Sequence, residues 1–261
     1  MDMGKSKANM GQRERIYSTP RTEWIWRLRR PDHWARYEFA ARRLIQGKIL
    51  DVACGCGYGT AYLRENFHDG IVGIDISKEA IQHAQKYYPH AGIFHEVSDP
   101  PWEFEDSSFT SVVSLETLEH VARPEQFLLE IYRILKPGGV LILSTPVNYG
   151  KPGKSDNIYH LREYMWAELE EMIKKSGYHV TGHWSQVPKI AKMWVGIGGG
   201  NSNTLAIRAK QKFPKSWVKC VRSVLTLFPG MKYGNFMLGH QQGAAVQLII
   251  AEKLGIRNEM D

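Results

Sequence analysis

Three glycines follow directly behind a short apolar run and an acidic residue. The stretch DVACGCGYG begins at Asp51 and places Gly55, Gly57 and Gly59 in a G-x-G-x-G spacing. Gly55 and Gly57 can adopt positive φ and bring the backbone close to a ligand, whereas Gly59 lets the next helix pack tightly against the sheet. A dinucleotide fingerprint would instead have the spacing G-x-G-x-x-G. The stretch therefore predicts a nucleotide-type cofactor site, and so an enzyme.

A carboxylate follows the next apolar run at a distance that suits the same site. Residues 71–74 are apolar and are followed by Asp75, sixteen residues past Gly59. At the end of a second strand, a carboxylate can accept two hydrogen bonds from ribose hydroxyls. Strand-like and helix-like segments alternate from residue 49 to 148, which predicts a parallel sheet covered on both faces. We predict helices at 59–66, 78–87, 124–135 and 162–176, and the last two strands at 179–185 and 244–252.

Composition favours one soluble α/β domain with additional segments. The chain has 261 residues, of which 43% are apolar, enough for a substantial core. No apolar run approaches the roughly 18 residues of a membrane span, and the polar start MDMGKSKANMGQ is not typical of a signal peptide. Two of the three cysteines, Cys54 and Cys56, lie in the glycine loop. This usage predicts a reducing cytoplasm rather than a disulfide framework, and a metal at the pair is disfavoured because no second ligand pair exists.

Two longer segments extend the pattern. They are WEFEDSSFTSVVSLETLEHV and, further on, RILKPGGVLILSTPVN. Together with the glycine loop and Asp75, they resemble class I S-adenosylmethionine-dependent methyltransferases over residues 36–186 and 244–254, although Thr110 replaces a usual aspartate. The resemblance implies S-adenosylmethionine as the cofactor. It also implies a Rossmann-like α/β fold with a doubly wound, mostly parallel seven-stranded sheet. To this fold we expect the chain to add an N-terminal helical cap and an insertion between strands six and seven, which the family joins by a short turn.

The resemblance also implies which residues contact the cofactor. Asp99 follows the expected third strand, 93–97, where the family usually keeps an acidic side chain near the adenine amino group. The full set expected to bind the cofactor is Arg36, Asp51, Ala53, Gly55, Gly57, Asp75, Ile76, Asp99 and Leu115.

In this family the protein mainly has to align the methyl acceptor and remove its proton, because the sulfonium of S-adenosylmethionine is already a strong electrophile. The run ETLEH, just after the fourth strand, contains Glu116, Glu119 and His120, and YHLREY supplies His160 forty residues later. We expect His120 to be the general base, because imidazole titrates near neutral pH. Glu116 and His160 are the other catalytic candidates.

The same residues resemble two metal-linked branches of the family. Small-RNA 3′-end 2′-O-methyltransferases bind a divalent metal with two glutamates and two histidines, and an E-x-x-E-H run in ubiquinone-pathway O-methyltransferases is associated with a divalent ion. Mixed oxygen and imidazole ligands suit Mg²⁺, Mn²⁺ or Zn²⁺. The alternative is that the run is only a structural turn. The candidate metal ligands are Glu116, Glu119, His120 and His160.

Four segments of the sequence indicate which reaction to expect. WARYEFAARRL, ETLEHV, STPVN and YHLREY resemble methyltransferases of bacterial surface-polysaccharide and secondary-metabolite pathways, which commonly methylate a hydroxyl of a sugar or similar metabolite. We therefore expect O-methylation of a polar or anionic small molecule or glycan in a biosynthetic pathway. One alternative is a metal-dependent RNA ribose 2′-O-methyltransferase, and another is a cofactor-binding scaffold that does not transfer methyl groups.

Charge is segregated along the chain. Residues 187–243 carry nine Lys or Arg and no Asp or Glu, and the first fifty residues carry twelve basic and five acidic side chains. Basic segments beside an acidic core predict an anionic partner, which could be a nucleotide sugar, a lipid-linked pyrophosphate, a membrane surface or nucleic acid. The alternative is a solvated basic face with no partner.

The expected organisation has four parts. Within the basic insertion, residues 194–203 have the glycine content of a loop and residues 215–228 have amphipathic spacing, which suits a lid, an interfacial anchor, an oligomer contact or core packing. In the cap, Trp24, Trp26 and Trp34 are expected to pack into the core. The parts are an N-terminal helical cap at 1–46, a cofactor-binding core at 47–186, the insertion at 187–243, and a final strand with a C-terminal tail at 244–261.

Overall fold

One sheet organises the chain. The computed structural model describes residues 15–67, 70–150, 157–187, 235–238 and 246–254. Its strands are β1 (Ile49–Val52), β2 (Ile71–Asp75), β3 (Ile93–Glu96), β4 (Phe109–Leu115), β5 (Leu135–Pro146), β6 (His179–Val187), β7 (Asn235–Leu238) and β8 (Val246–Glu252).

The strand order within the sheet is β3-β2-β1-β4-β5-β8-β6-β7. The first five strands in this order are parallel, and β8 runs antiparallel between β5 and β6. The predicted doubly wound, mostly parallel class I sheet is confirmed. It carries one further strand, β7, which comes from the segment expected to be an insertion and pairs antiparallel with the outer edge of β6.

Six helices flank the sheet within the described residues. Three predicted helices match to within one residue at each end, whereas the last begins at Trp166 and not at 162. The reason is Tyr164, which forms a β-bridge with Val147 and keeps the chain extended there. The helices are α1 (Glu23–Arg29), α2 (Pro31–Ala41), α3 (Tyr58–Asn66), α4 (Lys78–Tyr87), α5 (Pro124–Ile134) and α6 (Trp166–Lys175).

The core has two layers, one on each face of the sheet. Successive side chains of a strand point to opposite faces, so Ile49 of β1 packs with α2, α3 and α4 while Leu50 and Val52 pack with α5 and α6. All four residues of β1 are buried, as expected for a central parallel strand. The carboxyl ends of β1 and β4 therefore emerge from a fixed core.

The N-terminal aromatic residues have different environments. Trp34 is buried, as expected, but Trp24 is 63% exposed. Core packing of Trp24 was therefore wrong. No residue of α1 is fully buried, but Trp26 in this helix is partly buried and packs against the core layer of α2 to α4. The predicted glycine loop at 194–203 and amphipathic segment at 215–228 lie outside the described residues. Within the described part of the chain, no helix combines the length and apolar character needed to cross a membrane.

Candidate active site

The glycine loop leaves β1 through left-handed backbone conformations. φ is +58° at Ala53, +57° at Gly55 and +85° at Gly57. A Cβ on Gly57 would lie 2.7 Å from the Cβ of Ala84 in α4, so both the backbone angle and the available space favour glycine. The loop thus exposes main-chain atoms at the carboxyl edge of the sheet, where α/β sheets bind ligands.

Gly59 has a different role from the one its sequence suggested. A Cβ there would lie 1.9 Å from Cζ of Tyr37, so this glycine makes room for an aromatic ring of α2 and not for the sheet. The Tyr37 hydroxyl lies 3.3 and 3.4 Å from the two carboxylate oxygens of Asp51. Tyr37 therefore connects the N-terminal cap directly to β1 at Asp51, where the glycine stretch begins.

Asp51 is a buried carboxylate at the start of the glycine stretch. Its side chain is fully buried, and Thr60 Oγ1 donates to its Oδ2 at 2.7 Å. Burial raises the pKa of Asp51 to about 7, while hydrogen bonds from Thr60 and Tyr37 oppose the rise and the charge of Asp75 adds to it. Both oxygens are thus engaged inside the protein, so Asp51 shapes the site indirectly.

Asp75 lies at the end of β2, beside the loop. Its Oδ2 accepts a hydrogen bond from the Gly55 N–H at 2.9 Å, and its Oδ1 accepts one from the Ser77 N–H at 2.8 Å. The Arg15 guanidinium Nη1 also donates to Oδ1, at 3.0 Å. The side chain is 4% exposed. Two backbone amides from two different loops therefore hold this carboxylate in one orientation.

Three further cofactor candidates follow neighbouring strands at the same edge of the sheet. Ile76 comes directly after β2 and is 67% exposed. Asp99 lies three residues past β3 and is exposed, and Leu115 is the half-buried last residue of β4. Together they place an apolar side chain, a carboxylate and a strand end beside the glycine loop.

Arg36 brings buried positive charge to the site from α2. Its Nη1 donates to Gln186 Oε1 at 2.7 Å, and its Nη2 donates to Asp32 at 3.4 Å. Among the described residues, the buried Nε of Arg36 and the buried Nε1 of Trp34 have no hydrogen-bond partner. Trp34 stacks on Tyr58, the first residue of the glycine-loop helix, at 4.5 Å. Unpaired buried N–H groups are costly, so a ligand with hydrogen-bond acceptors could satisfy either of these two donors.

Glu116 faces Arg36 and not the histidines. Its φ is +54°, an uncommon conformation for a residue other than glycine and one often found at functional sites. Ser144 Oγ donates to Glu116 Oε1 at 2.9 Å, and Oε2 lies 3.8 Å from Arg36 Nη2. This carboxylate is therefore not among the ligand atoms that cluster at Glu119, His120 and His160.

The other three members of that set come together. Ligand atoms of Glu119, His120 and His160 all lie within 4.8 Å of one another, and the two histidine rings are 5.1 Å apart. Burial raises the pKa of Glu119 well above its usual range, and the charge of Glu116 adds to the rise. Thr145 Oγ1 donates to Glu119 Oε2 at 2.9 Å. The cluster thus has one buried carboxyl group and two imidazoles.

Hydrogen bonds define the tautomers of the two histidines. His120 Nδ1 lies 3.0 Å from the Tyr159 carbonyl, which can only accept, so Nδ1 carries the proton. His160 Nδ1 lies 2.6 Å from Glu163 Oε1, and its Nε2 lies 2.9 Å from Asn157 Nδ2. In the neutral rings, Nε2 is therefore the basic nitrogen of both histidines. Such partners commonly orient catalytic and metal-binding imidazoles.

Backbone hydrogen bonds fix YHLREY onto the ETLEH turn. The Leu161 and Arg162 amides donate to the Glu119 carbonyl at 2.8 and 3.2 Å, and the Asn148 amide donates to the Tyr164 carbonyl at 3.0 Å. Two loops distant in sequence thereby form one side of the candidate site.

Four side chains that position this site were not singled out from the sequence. Ser144 and Thr145 lie in the quoted STPVN run and Glu163 in YHLREY, but nothing near Gln186 signalled its contact with Arg36.

Comparisons with known proteins find similarity to methyltransferases. Residues 50–143 match a family profile described as a methyltransferase domain. A probable S-adenosylmethionine-dependent methyltransferase of Mycolicibacterium smegmatis is 32% identical over 162 residues, covering 59% of this chain and 62% of the relative. Phosphoethanolamine N-methyltransferase 3 of Arabidopsis thaliana is 34% identical over 100 residues, covering 37% of this chain and 20% of the relative. The chain thus spans less than two thirds of the length of these curated relatives.

A solved structure supports the same fold. A SAM-dependent methyltransferase from Thermotoga maritima superposes with a TM-score of 0.61 at 17% identity, covering 89% of this chain and 95% of that one. Similarity at this level of identity concerns the fold. Together with the strand order, it shows that this chain has the Rossmann-like fold of class I methyltransferases.

Proposed function

We propose that this protein is an S-adenosylmethionine-dependent methyltransferase that acts on a hydroxyl of a polar or anionic small molecule or sugar in a biosynthetic pathway. The observation that carries the proposal is the meeting of the glycine loop and Asp75, through the Gly55 amide, within the matched domain. When bound, the cofactor supplies an electrophilic methyl group on sulfur. The chain must hold it, align the acceptor and remove a proton.

The residues around the loop suit an adenosyl group with an amino-acid tail. Asp75 presents carboxylate oxygens for ribose hydroxyls, and Ile76 and Asp99 lie where an adenine ring would need an apolar contact and a polar partner. The unpaired Nε of Arg36 and Nε1 of Trp34 are buried donors that suit a carboxylate. These assignments remain part of the proposal.

Proton removal is assigned to His120 in this proposal. Its Nδ1–H is held by the Tyr159 carbonyl, so the neutral ring presents Nε2 as the base. His160 lies edge-on to it, and the Glu116 carboxylate lies 3.8 Å from Arg36. We place the acceptor between these groups and the glycine loop. We further propose that the positive charge of the segment 187–243, which also contributes β7 to the sheet, attracts an anionic acceptor.

The first experiment is calorimetric titration with S-adenosylhomocysteine, followed by methyl transfer from labelled cofactor to matched hydroxyl and amine acceptors. We expect one site per chain and transfer to a hydroxyl. Gly57→Ala should abolish binding, whereas Gly70→Ala is a matched control because a Cβ there meets no atom within 4 Å. No binding to the intact chain would overturn the proposal. Transfer to amines alone would refute the O-directed part, and binding without any transfer would indicate a scaffold.

A divalent metal at Glu119, His120 and His160 is a second candidate feature, favoured by the clustering of their ligand atoms. One carboxylate and two imidazoles suit Mn²⁺ or Zn²⁺ better than Mg²⁺, which prefers oxygen ligands. A bound metal would supply Lewis-acid activation of a hydroxyl. If it is present, chelation should abolish transfer and added metal should restore it, while S-adenosylhomocysteine affinity stays unchanged. Activity that is unchanged by a chelator would exclude a role for a metal in methyl transfer.

The same cluster and the basic segments motivate RNA ribose 2′-O-methylation as the alternative substrate class. Because Glu116 faces away from the cluster, only one of the two expected glutamates is in place. A gel-shift at physiological salt tests this alternative, since phosphate contacts dominate RNA affinity. Absence of a shift would leave the small-molecule acceptor as the substrate.

A further inference from the structure

A short N-terminal segment lies against the ribose-side carboxylate. Residues 15–18 form what we call the strap. Arg15 contributes the ion pair to Asp75, and Ile16 is only 5% exposed within the core layer of α2 to α4. The strap is therefore part of the folded core and lies beside the proposed cofactor site.

Two further contacts anchor the strap independently of Arg15. The Tyr17 ring meets the ring of His83 in α4 edge-on at 5.5 Å. Ser18 is fully buried, and its Oγ accepts a hydrogen bond from the Tyr88 hydroxyl at 3.2 Å. Because these contacts hold the backbone, the Arg15 side chain can leave Asp75 without release of the strap. Its side chain is 22% exposed, which gives it a path towards solvent.

The hydrogen-bonding capacity of Asp75 makes the ion pair consequential. An ionised carboxylate has about four acceptor sites. The amides of Gly55 and Ser77 take two of them at 2.9 and 2.8 Å, and Arg15 takes a third at 3.0 Å. Two ribose hydroxyls need two sites, but only one remains. Full recognition of a ribose diol and the Arg15 contact therefore exclude each other.

We propose that the strap is an autoinhibitory contact, in which Arg15 competes with the cofactor ribose for Asp75. The inference rests on the proposed function, because it takes the ligand to be an adenosyl nucleoside. Binding exchanges a charge-assisted hydrogen bond within the protein for a ribose hydrogen bond, and dissociation lets Arg15 return. Arg15 thus lowers the affinity for both cofactor and product and accelerates product release.

A double-mutant cycle tests the competition, with S-adenosylhomocysteine as the probe in calorimetry. Arg15→Ala should tighten binding roughly three- to five-fold, the range for removing a partly exposed ion pair. Arg15→Lys should keep most of the wild-type affinity, because it keeps the charge. Arg21→Ala removes an exposed arginine near the strap and should change affinity less than about two-fold.

The second arm repeats Arg15→Ala in an Asp75→Asn background. There the substitution should have no effect, since no carboxylate remains to compete for. Weaker or unchanged binding by Arg15→Ala in the wild-type background would overturn the proposal, as would an equal gain in the Asp75→Asn background. If Asp75→Asn does not fold, as judged by circular dichroism, the comparison of Arg15→Ala with Arg15→Lys decides. Failure of every variant, and of the wild type, to bind would instead refute the proposed function.

Discussion

The cofactor side and the acceptor side of the candidate site are built in different ways. On the cofactor side, backbone amides hold Asp75, which is 4% exposed, and left-handed residues shape the loop. On the acceptor side, the chemistry lies in side chains on turns, and His120 is 38% exposed. A carboxylate held by backbone amides is tied to folding, whereas an exposed imidazole such as that of His120 can change without disturbing the core.

This contrast predicts whether a substitution should change stability or turnover. Asp51 is buried between α2 and α3, so changes there should alter stability. His120 contacts the rest of the site through the Tyr159 carbonyl and the ring of His160, so changes there should alter turnover. Substitutions on each side test whether the two halves are separable.

The largest effect is expected from His120→Ala. Loss of a positioned general base typically costs about 100- to 10,000-fold in rate, and we expect that loss in kcat with S-adenosylhomocysteine affinity unchanged. Single-turnover methyl transfer and calorimetry on the same preparation measure the two quantities. His95→Ala, on the edge strand β3, is the matched control because His95 is exposed there. Unaltered turnover would refute the role of His120, and a parallel loss of cofactor affinity would show that the halves are coupled.

Asp51 should make stability depend on pH. Its pKa is raised to about 7 in the fold and is about 3.9 in an unfolded chain, so the folded state binds the extra proton between these values. The free energy of unfolding should therefore fall as pH rises from about 4 to about 7, by up to ~1.4 kcal/mol per pH unit from this group.

Asp51→Asn removes that dependence while keeping a neutral hydrogen-bonding side chain. Urea unfolding of wild type and variant at pH 5 and pH 8 isolates the contribution as the change in their difference, because other carboxylates are common to both proteins. We expect the variant to gain relative to wild type by about 3 kcal/mol on moving to pH 8. A difference that stays constant with pH would mean that Asp51 is not protonated in the fold.

Asp75→Ala should act on cofactor affinity. Loss of hydrogen bonds to a charged acceptor costs about 1 to 3 kcal/mol, equivalent to roughly 5- to 150-fold in Kd, and outweighs any gain from freeing Arg15. Calorimetry with S-adenosylhomocysteine measures it, and Glu103→Ala, an exposed acidic residue, controls for charge. An affinity equal to that of the wild type would show that Asp75 does not contribute to cofactor binding.

Local patterns predicted where the glycine loop and Asp75 lie in the fold. The glycines, Asp75 and the ends of β1 and β2 are close in sequence, and buried parallel strands appear as short apolar runs. The alternation of strands and helices was sufficient for the doubly wound sheet. The residue types in ETLEH also indicated the cluster formed by Glu119 and His120.

Long-range contacts were not predictable in the same way. Gln186 meets Arg36 across 150 residues, and Tyr164 delays the last helix by pairing with Val147. Spacing also cannot reveal the left-handed φ of Glu116. These features arise from tertiary contacts that compete with local preference.

The smallest effect concerns Ser77, which serves the cofactor side in two separable ways. Its hydroxyl caps α4 by accepting from the Ala80 amide at 3.3 Å, and its own amide donates to Asp75. Ser77→Ala removes the cap and the exposed hydrogen bond from the hydroxyl to Glu79 at 3.2 Å but keeps the backbone amide. It should therefore cost about 1 kcal/mol of stability in urea unfolding, while S-adenosylhomocysteine affinity stays within about two-fold. Ser77→Gly should cost only a few tenths of a kcal/mol. A large loss of affinity in Ser77→Ala would mean that the helix cap, and not the backbone amide alone, fixes the carboxylate, so that stability and binding are not separable even within the cofactor side.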